Sequence, residues 1–210
     1  MTGSIYGNSF TITTWGESHG AAIGVVIDGC PAGLPLTEDH IQTFLNRRKP
    51  GQSKYTTARQ ESDRAEILSG VFEGRTTGTP ISLMVRNMDQ RSRDYGQIKD
   101  CFRPGHADYT FHEKYGFRDY RGGGRTSGRE TIGRVAAGAV ASLLLENLGI
   151  HITAYTKSIG SIVIPNESYR YEEIYENPLY MPNNAYARDA ALYLEECIKS
   201  QDSSGGVIEC

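Results

Sequence analysis

The chain has 210 residues, 38% of them hydrophobic, with a net charge of −3. These values predict a globular protein of one large or two small domains, and no apolar run reaches the length of a membrane span. The four cysteines lack CxxC spacing, so a zinc site and a disulfide framework are disfavoured, and the reducing cytoplasm is the expected compartment; we recognise no signal peptide.

Residues 45–134 hold 18 Lys and Arg against 11 Asp and Glu, a net +7. This local charge suits a small anionic ligand better than a long nucleic acid, although a basic face that meets only solvent is the alternative.

Short strands and one short helix are predicted in the first third of the chain. Residues 8–15 alternate in polarity like a strand, the sequence GESHG at 16–20 interrupts it, and a second strand follows at 23–28. Thr37 is placed to cap a helix that ends near Arg47 and Arg48. Residues 49–64 have no apolar period and are predicted as a basic loop. Residues 67–86 suggest two strands around a turn at 74–80, the clearer one at 81–85.

Residues 87–124 form a long polar segment rich in arginine, aromatic residues and glycine. A loop of this length in a compact chain is usually functional or disordered, and its Phe and Tyr content argues against disorder. We therefore expect a functional loop that leads directly into the next element.

A central helix at 127–148 is the clearest element of the sequence. Apolar residues recur at three- and four-residue steps from Ile132 to Leu144, and Gly149 is placed to end the helix. Ser127 suits the N-cap, and Glu130 can reach back to complete a capping box. The preceding sequence RGGGR, at 121–125, puts three glycines between two arginines at the positive end of this helix.

This helix start predicts an anion site. Free amide groups and the helix dipole favour negative charge there, and glycines let a ligand approach the backbone closely. Arg125 and Arg129 add planar guanidinium groups that suit phosphate. A flexible turn before an ordinary core helix is the alternative.

The last third of the chain is predicted to contain one or two strands at 151–164, an irregular segment at 165–184 and a helix at 185–200. The chain ends within a strand-like segment at 207–210. Since a strand needs partners or a protected edge, we expect this single domain, residues 1–210, to lack a C-terminal part.

Two of the five histidines are candidates for proton transfer. His19 lies in a glycine-flanked turn, and His106 lies in the sequence RPGHAD between Arg103 and Asp108. Both positions are predicted loops, where functional residues concentrate. The other histidines are expected to face solvent or pack, and no nucleophile triad, Walker A motif or metal-ligand spacing is present.

Five sequence stretches together resemble the chorismate synthase family. They are GESHG at 16–20, RRKPGQSKYTT at 47–57, DQRSRDY at 89–95, FRPGHADYT at 102–110 and YRGGGRTSGRET at 120–131. They look like the signature stretches of that family in its order, and the resemblance covers essentially the whole chain and a little over half of a typical member. It implies an α+β fold, a β-α-β sandwich with central helices between antiparallel sheets, usually assembled as a homotetramer.

The resemblance also implies an activity. Members convert 5-enolpyruvylshikimate 3-phosphate to chorismate and phosphate in the shikimate pathway of aromatic amino acid biosynthesis, by an anti-1,4 elimination that needs reduced FMN; NADPH is a possible reductant. It places His106 beside the flavin as its proton donor and His19 beside the departing phosphate. The cofactor and phosphate positions that it implies are Arg125, Thr126 and Ser127 for FMN, with Arg48 and Lys54 for NADP or the substrate phosphate.

Some features depart from the family pattern and leave other interpretations open. Lys54 occupies a position where many members have Arg, and Thr126 replaces a Ser that is common in the family. The acidic residue that removes the ring proton and further FMN contacts belong to the C-terminal part of the family, so we expect the 210-residue chain alone to be inactive. Alternatives are an anion- or RNA-binding module, with RGGGR and the tyrosines as contacts, and a non-catalytic remnant.

Overall fold

The structure is a computed structural model that describes residues 3–51, 53, 55, 61–88 and 99–210. Lys54 and the stretch 89–95 therefore lie outside the described residues. By contact density the chain divides into two compact units. Unit 1 comprises Met1–Gly51 and Ala58–Ile150, and unit 2 comprises Gln52–Thr57 and His151–Cys210.

A five-stranded antiparallel sheet forms the framework of unit 1. Its strands, in spatial order, are β1 (Ile5–Tyr6), β2 (Thr11–Gly16), β3 (Ala22–Asp28), β7 (Ile81–Arg86) and β4 (Ala65–Ser69). The small hairpin of β5 (Val71–Phe72) and β6 (Arg75–Thr76) lies between β4 and β7 in the sequence. The strands predicted at 8–15, 23–28 and 81–85 are confirmed by β2, β3 and β7. In β7, fully buried residues alternate with less buried ones, as expected of a strand with one face on a core.

Two helices cover the apolar face of this sheet. Helix α1 (Glu38–Arg48) follows its N-cap Thr37 and ends at Arg48, as the capping residue and the terminal arginines predicted, and it packs on α3 (Thr131–Glu146). Helix α3 also packs on β2, β3 and β7. Small residues make this close approach possible, since a Cβ on Gly133 would lie 3.0 Å from the backbone oxygen of Gly24. The core between sheet and helices is aliphatic, and its largest fully buried members are Ile23, Ile27, Leu36, Ile41, Leu45, Ile81, Leu83 and Ile132.

The central helix starts later than the sequence predicted. Two 3₁₀ turns, Gly124–Thr126 and Gly128–Glu130, precede Thr131. Ser127 caps the second turn by accepting a hydrogen bond from the amide of Arg129, at 3.3 Å. The predicted capping box is wrong, because the Glu130 carboxylate instead accepts from Thr14 at 2.6 Å and from Arg134 at 3.0 Å.

A helix, α2 (Asp108–Tyr115), lies within the segment that was predicted as a continuous loop. Its sequence has no apolar period, so periodicity could not reveal it. The two ends of the helix follow the usual preferences. Asp108 lies in the first turn, and Gly116 ends the helix in the left-handed conformation at φ +69°. The Phe102 ring packs on Tyr109 and His112, with centroids 5.5 and 5.4 Å apart.

Unit 2 contains a second antiparallel sheet and one long helix. Its strands are β8 (Tyr155–Ile159), β9 (Ile162–Val163) and β10 (Gly206–Glu209), in the spatial order β10-β8-β9. Helix α4 (Asn184–Lys199) confirms the helix predicted at 185–200, and the Asn183 side chain caps it by accepting from the amides of residues 185 and 186. Its small core contains Ile164, Leu179, Met181, Ala187 and Ala190.

The α+β class with antiparallel sheets is therefore confirmed. The assignment of residues 1–210 to a single domain stays a prediction. Among the described residues, no helix combines the length and the apolarity that crossing a membrane requires.

Candidate active site

His19 lies in the turn between β2 and β3, and this turn folds against the glycine-rich loop 121–126. Ser18 and His19 are both buried. The amide of Ser18 donates to the carbonyl of Gly124 at 3.3 Å, and its hydroxyl donates to the carbonyl of Gly122 at 3.2 Å. The Ser18 hydroxyl also lies 3.2 Å from Nδ1 of His19. Two sequence motifs separated by about a hundred residues thus form one site.

Gly122 determines how closely the loop approaches the imidazole. Its φ is +60°, and a Cβ built on it would lie 2.0 Å from both Cε1 and Nδ1 of His19. Gly123 and Gly124 also have positive φ, at +86° and +54°. Only glycine combines this left-handed backbone with such a close contact, so Gly122 places backbone directly against the His19 ring.

The two arginines that flank the glycines are bound by the protein itself. Arg125 points inward and donates to the carbonyl of Gly16 at 3.0 Å and to the hydroxyl of Thr14 at 2.7 Å. Arg121 makes a bidentate pair with Asp119 at 2.9 Å, and this pair lowers the pKa of the Asp119 carboxyl. Of the two guanidinium groups predicted to meet an anion, Arg125 and Arg129, that of Arg125 therefore bonds to the protein instead. Arg125 instead fastens the loop to strand β2.

Hydrogen-bond donors in two places remain available to an external acceptor. The amides of Gly122 and Gly123 have no acceptor among the residues that the structure describes. Nη1 of the buried Arg129 is, within the described ranges, the single buried side-chain nitrogen or oxygen without a hydrogen-bond partner. Since an unpaired buried donor costs about 1–3 kcal/mol, these groups fit an acceptor that the chain does not supply, such as a phosphate oxygen or a water. The loop is thus compatible with a phosphate-bearing cofactor or substrate.

The hydroxyls of Thr126 and Ser127 serve the loop's own geometry. The Thr126 hydroxyl donates to the carbonyl of Gly123 at 2.7 Å, and the Ser127 hydroxyl caps the following turn. Both residues stay candidate flavin contacts.

Arg48 joins the start of the central helix. Its guanidinium donates to the Gly128 carbonyl at 2.9 Å, to the Thr131 hydroxyl at 3.1 Å and to the buried carboxylate of Asp63 at 3.2 Å. Its side chain is 20% exposed. Helix α1 therefore places one cationic side chain beside the start of the central helix.

His106 occupies an exposed turn and does not pair with Asp108. Its Nδ1 lies 3.0 Å from the carbonyl of Pro104, and its amide donates to the Arg103 carbonyl at 3.3 Å. Arg103 takes the Asp108 carboxylate in a bidentate pair, at 2.8 and 2.9 Å, which lowers the pKa of Asp108 to about 2. This ion pair closes the turn and leaves the imidazole edge in solvent. The contacts described for His106 do not include His19.

A cavity of about 670 Å³ opens beside the glycine-rich loop. Its wall combines loop backbone at Gly123 and Gly124 with aromatic side chains and charged groups. The aromatic members are Phe111, Tyr115, Phe117 and Tyr120, and the acidic members are Glu17, Asp108 and Asp119. This volume falls within the range of small-molecule and cofactor sites, and aromatic walls suit a planar ring.

Comparison with known proteins identifies the family. The family model for chorismate synthase matches residues 10–210. The chain belongs to the chorismate synthase family. It is 63% identical over 210 residues to the chorismate synthase of Agathobacter rectalis and 56% identical over 209 residues to that of Syntrophus aciditrophicus. It covers 57% and 59% of those two proteins, which cover 100% and 99% of this chain.

A crystal structure of chorismate synthase has the same fold. The TM-score is 0.75 at 33% sequence identity, and the match covers 96% of this chain and 56% of that one. The chain thus spans a little over half the length of the curated relatives it matches.

Sequence reasoning missed the residues that hold the candidate site in place. Asn87 and Asp63 carried no motif, and each is buried and bonded to the site. An isolated Asn directly after a strand and an Asp in a polar loop were weak signals. Their role depends on partners 15 to 70 residues distant in the sequence.

Proposed function

We propose that the protein acts as a chorismate synthase, eliminating phosphate from 5-enolpyruvylshikimate 3-phosphate to give chorismate. The observation that carries this proposal is the packing of His19 against Gly122 in a chain of this family. A proton-transfer group and a loop with unpaired amide donors lie within van der Waals reach of each other. This combination suits a reaction in which a phosphate leaves.

The chemistry needs positive charge and hydrogen-bond donors at the leaving group. Breaking the allylic C–O bond builds negative charge on the phosphate oxygens, and donors aimed at those oxygens stabilise the transition state more than the ground state. His19 would donate a proton or a hydrogen bond to that phosphate. Arg48 would add charge, and Lys54, which lies outside the described residues, would do the same.

Reduced FMN, when bound, would supply the transient electron that helps the phosphate to leave. The residues that would hold it are Thr126 and Ser127, at the start of the central helix. Arg125 would act by fixing the loop. His106, whose imidazole is exposed, would be the proton donor to the flavin, and NADPH is the proposed reductant. We further propose a cytoplasmic homotetramer, as the family resemblance implies.

The alternative of an RNA-binding module loses part of the observation that suggested it. The guanidinium group of Arg125 bonds to protein acceptors, and that of Arg121 is paired with Asp119 although its side chain is 45% exposed. A base-stacking surface would need such groups exposed.

Activity is best tested in a chimera, in which this chain replaces the matching 57% of the Agathobacter rectalis protein. The chimera and the 210-residue chain are each supplied anaerobically with reduced FMN and substrate, and chorismate is measured. We expect turnover by the chimera. His19→Ala and His106→Ala are each expected to lower its kcat by about 10²–10⁴-fold, the usual range for acid–base groups.

His151→Ala is the matched control, because His151 is exposed and belongs to unit 2. It should leave kcat unchanged. Wild-type turnover by a folded His19→Ala or His106→Ala chimera would refute that residue's role. A folded chimera that binds FMN and makes no chorismate would refute the function itself.

A further inference from the structure

One buried side chain joins the turn of His19 to the start of the central helix. Asn87 follows strand β7 directly and is 8% exposed. The register places it there, because Ala22 pairs with Arg86 at the end of the β3–β7 ladder, and the amide of Asn87 donates to the carbonyl of Ala21 at 3.1 Å. Asn87 therefore faces the turn that links β2 to β3.

The Asn87 carboxamide binds both ends of that turn. Its nitrogen donates one hydrogen bond to the carbonyl of Glu17 at 3.0 Å and another to the carbonyl of Gly20 at 2.8 Å. Ser18 and His19 lie between these two carbonyls. One planar group thus sets the width of the turn that carries the imidazole.

Arg129 fixes which way the carboxamide points. Its Nε donates to Oδ1 of Asn87 at 2.9 Å, so the oxygen must face the guanidinium and the nitrogen must face the two carbonyls. The Nη2 of Arg129 donates to Asp63 at 3.0 Å, and the other oxygen of that carboxylate accepts from Arg48 at 3.2 Å. Arg129 and Asp63 are almost fully buried, so these hydrogen bonds are shielded from bulk water.

We propose that Asn87 is a positioning residue for His19, and that Arg129 holds it in the working orientation. The effect of Asn87 on turnover rests on the proposed function. Its effect on the position of the His19 imidazole does not depend on that function. Asn87 does not touch the reacting atoms. It holds the turn so that the His19 ring lies against the backbone of Gly122.

The decisive substitution is Asn87→Asp, which keeps the size and removes the two donors. A carboxylate oxygen would then face the carbonyls of Glu17 and Gly20, while the bond from Arg129 would remain. The matched control is Asn177→Asp in unit 2. Asn177 also clamps a turn, donating to the carbonyls of Glu173 and Met181 at 3.1 and 2.8 Å, and its described bonds are all to residues of unit 2.

Histidine C2-hydrogen exchange, followed by mass spectrometry on the 210-residue chain, reports on His19 and His106 separately. In Asn87→Asp we expect the exchange rate at His19 to rise toward that of the exposed His106, while His106 itself is unchanged. Asn177→Asp should lower thermal stability without altering exchange at His19. An unchanged rate at His19 in a folded Asn87→Asp protein would overturn the proposal.

Kinetics of the chimera supply the second measurement. Asn87→Asp should lower kcat by about 10- to 100-fold with little change in KM, because a catalytic group displaced by about 1 Å loses that much rate. An equal loss in the Asn177→Asp chimera would mean a general structural effect and would overturn the proposal. Arg129→Lys keeps the charge and loses the Nε donor, so it should also raise the exchange rate at His19. This variant replaces Asn87→Asp as the test if Asn87→Asp does not fold. If the wild-type chimera is inactive, the proposed function fails and the exchange experiment still decides the role of Asn87.

Discussion

Replacing Gly122 with alanine tests whether the glycine-rich loop and His19 form one site. The substitution adds a single methyl group at a position where φ is +60°. That methyl would lie 2.0 Å from two atoms of the imidazole ring. An ordinary contact needs at least 3.4 Å, so the ring or the loop must move by about 1.4 Å.

The energetic cost has two parts. A left-handed backbone costs a residue with a Cβ about 1–2 kcal/mol relative to glycine. Overpacking a closely packed site adds about 1–3 kcal/mol. We therefore expect Gly122→Ala to lower the free energy of unfolding by about 2–5 kcal/mol, a large part of the usual total. A shift of this size at His19 should also reduce kcat of the chimera by about 10²-fold or more.

Two control variants separate these parts. Gly74 has φ +72°, and no atom of the described residues lies within 4 Å of the place that a Cβ would occupy, so Gly74→Ala should show the backbone cost alone. Gly128 has neither a positive φ nor a close neighbour in the described part of the chain, so Gly128→Ala should be nearly neutral. Urea unfolding of the chain and chorismate formation by the chimera are the assays. If Gly122→Ala loses no more stability than Gly74→Ala and keeps full turnover, the close contact with His19 does not exist.

Two further predictions concern acid stability and cofactor binding. Because Arg103 lowers the pKa of Asp108 to about 2, from an ordinary value of 3.8, the pair stabilises the fold above about pH 4, and this contribution is lost as the pH falls toward 2. After allowance for solvent screening, we expect the pair to contribute about 1 kcal/mol to the free energy of unfolding. Between pH 5 and pH 2.5, that free energy, measured by urea unfolding, should therefore fall more steeply in the wild type than in Asp108→Asn. Parallel pH curves for the two proteins would contradict the prediction. Gly123→Val should weaken FMN binding by the chimera about tenfold or more, since a side chain would occupy the ligand's approach at φ +86°, while the helical circular dichroism persists. Wild-type flavin titration by that variant would show that the loop is only a connector.

Periodic and capping signals in the sequence were sufficient for most regular elements. Strand β2 was predicted from alternation, helix α1 from Thr37 and its terminal arginines, and helix α3 from apolar residues at three- and four-residue steps. These signals are local, because each arises from how neighbouring residues share a face or satisfy a helix end. Helix α2 was not predicted, because its polar sequence has no apolar face.

The candidate site was likewise predicted only in part from the sequence. The histidines and the glycine-rich loop could be chosen from sequence, since loop position, residue type and family motifs all pointed to them. The direction in which each side chain points could not. Arg125 was predicted to meet an anion, yet its guanidinium satisfies carbonyl and hydroxyl oxygens of strand β2, a hundred residues earlier.

By itself, then, the sequence determined the family, the α+β class and the residue types of the site, because motif order and short-range periodicity carry that information. Only the tertiary structure decided that His19 packs on Gly122, that Arg103 rather than His106 takes Asp108, and that Asn87 fastens the turn. The physical reason is that a polar side chain binds whichever acceptor or donor lies nearest after folding. That partner is set by the strand register and by helix packing, which bring distant segments of the chain within hydrogen-bond distance.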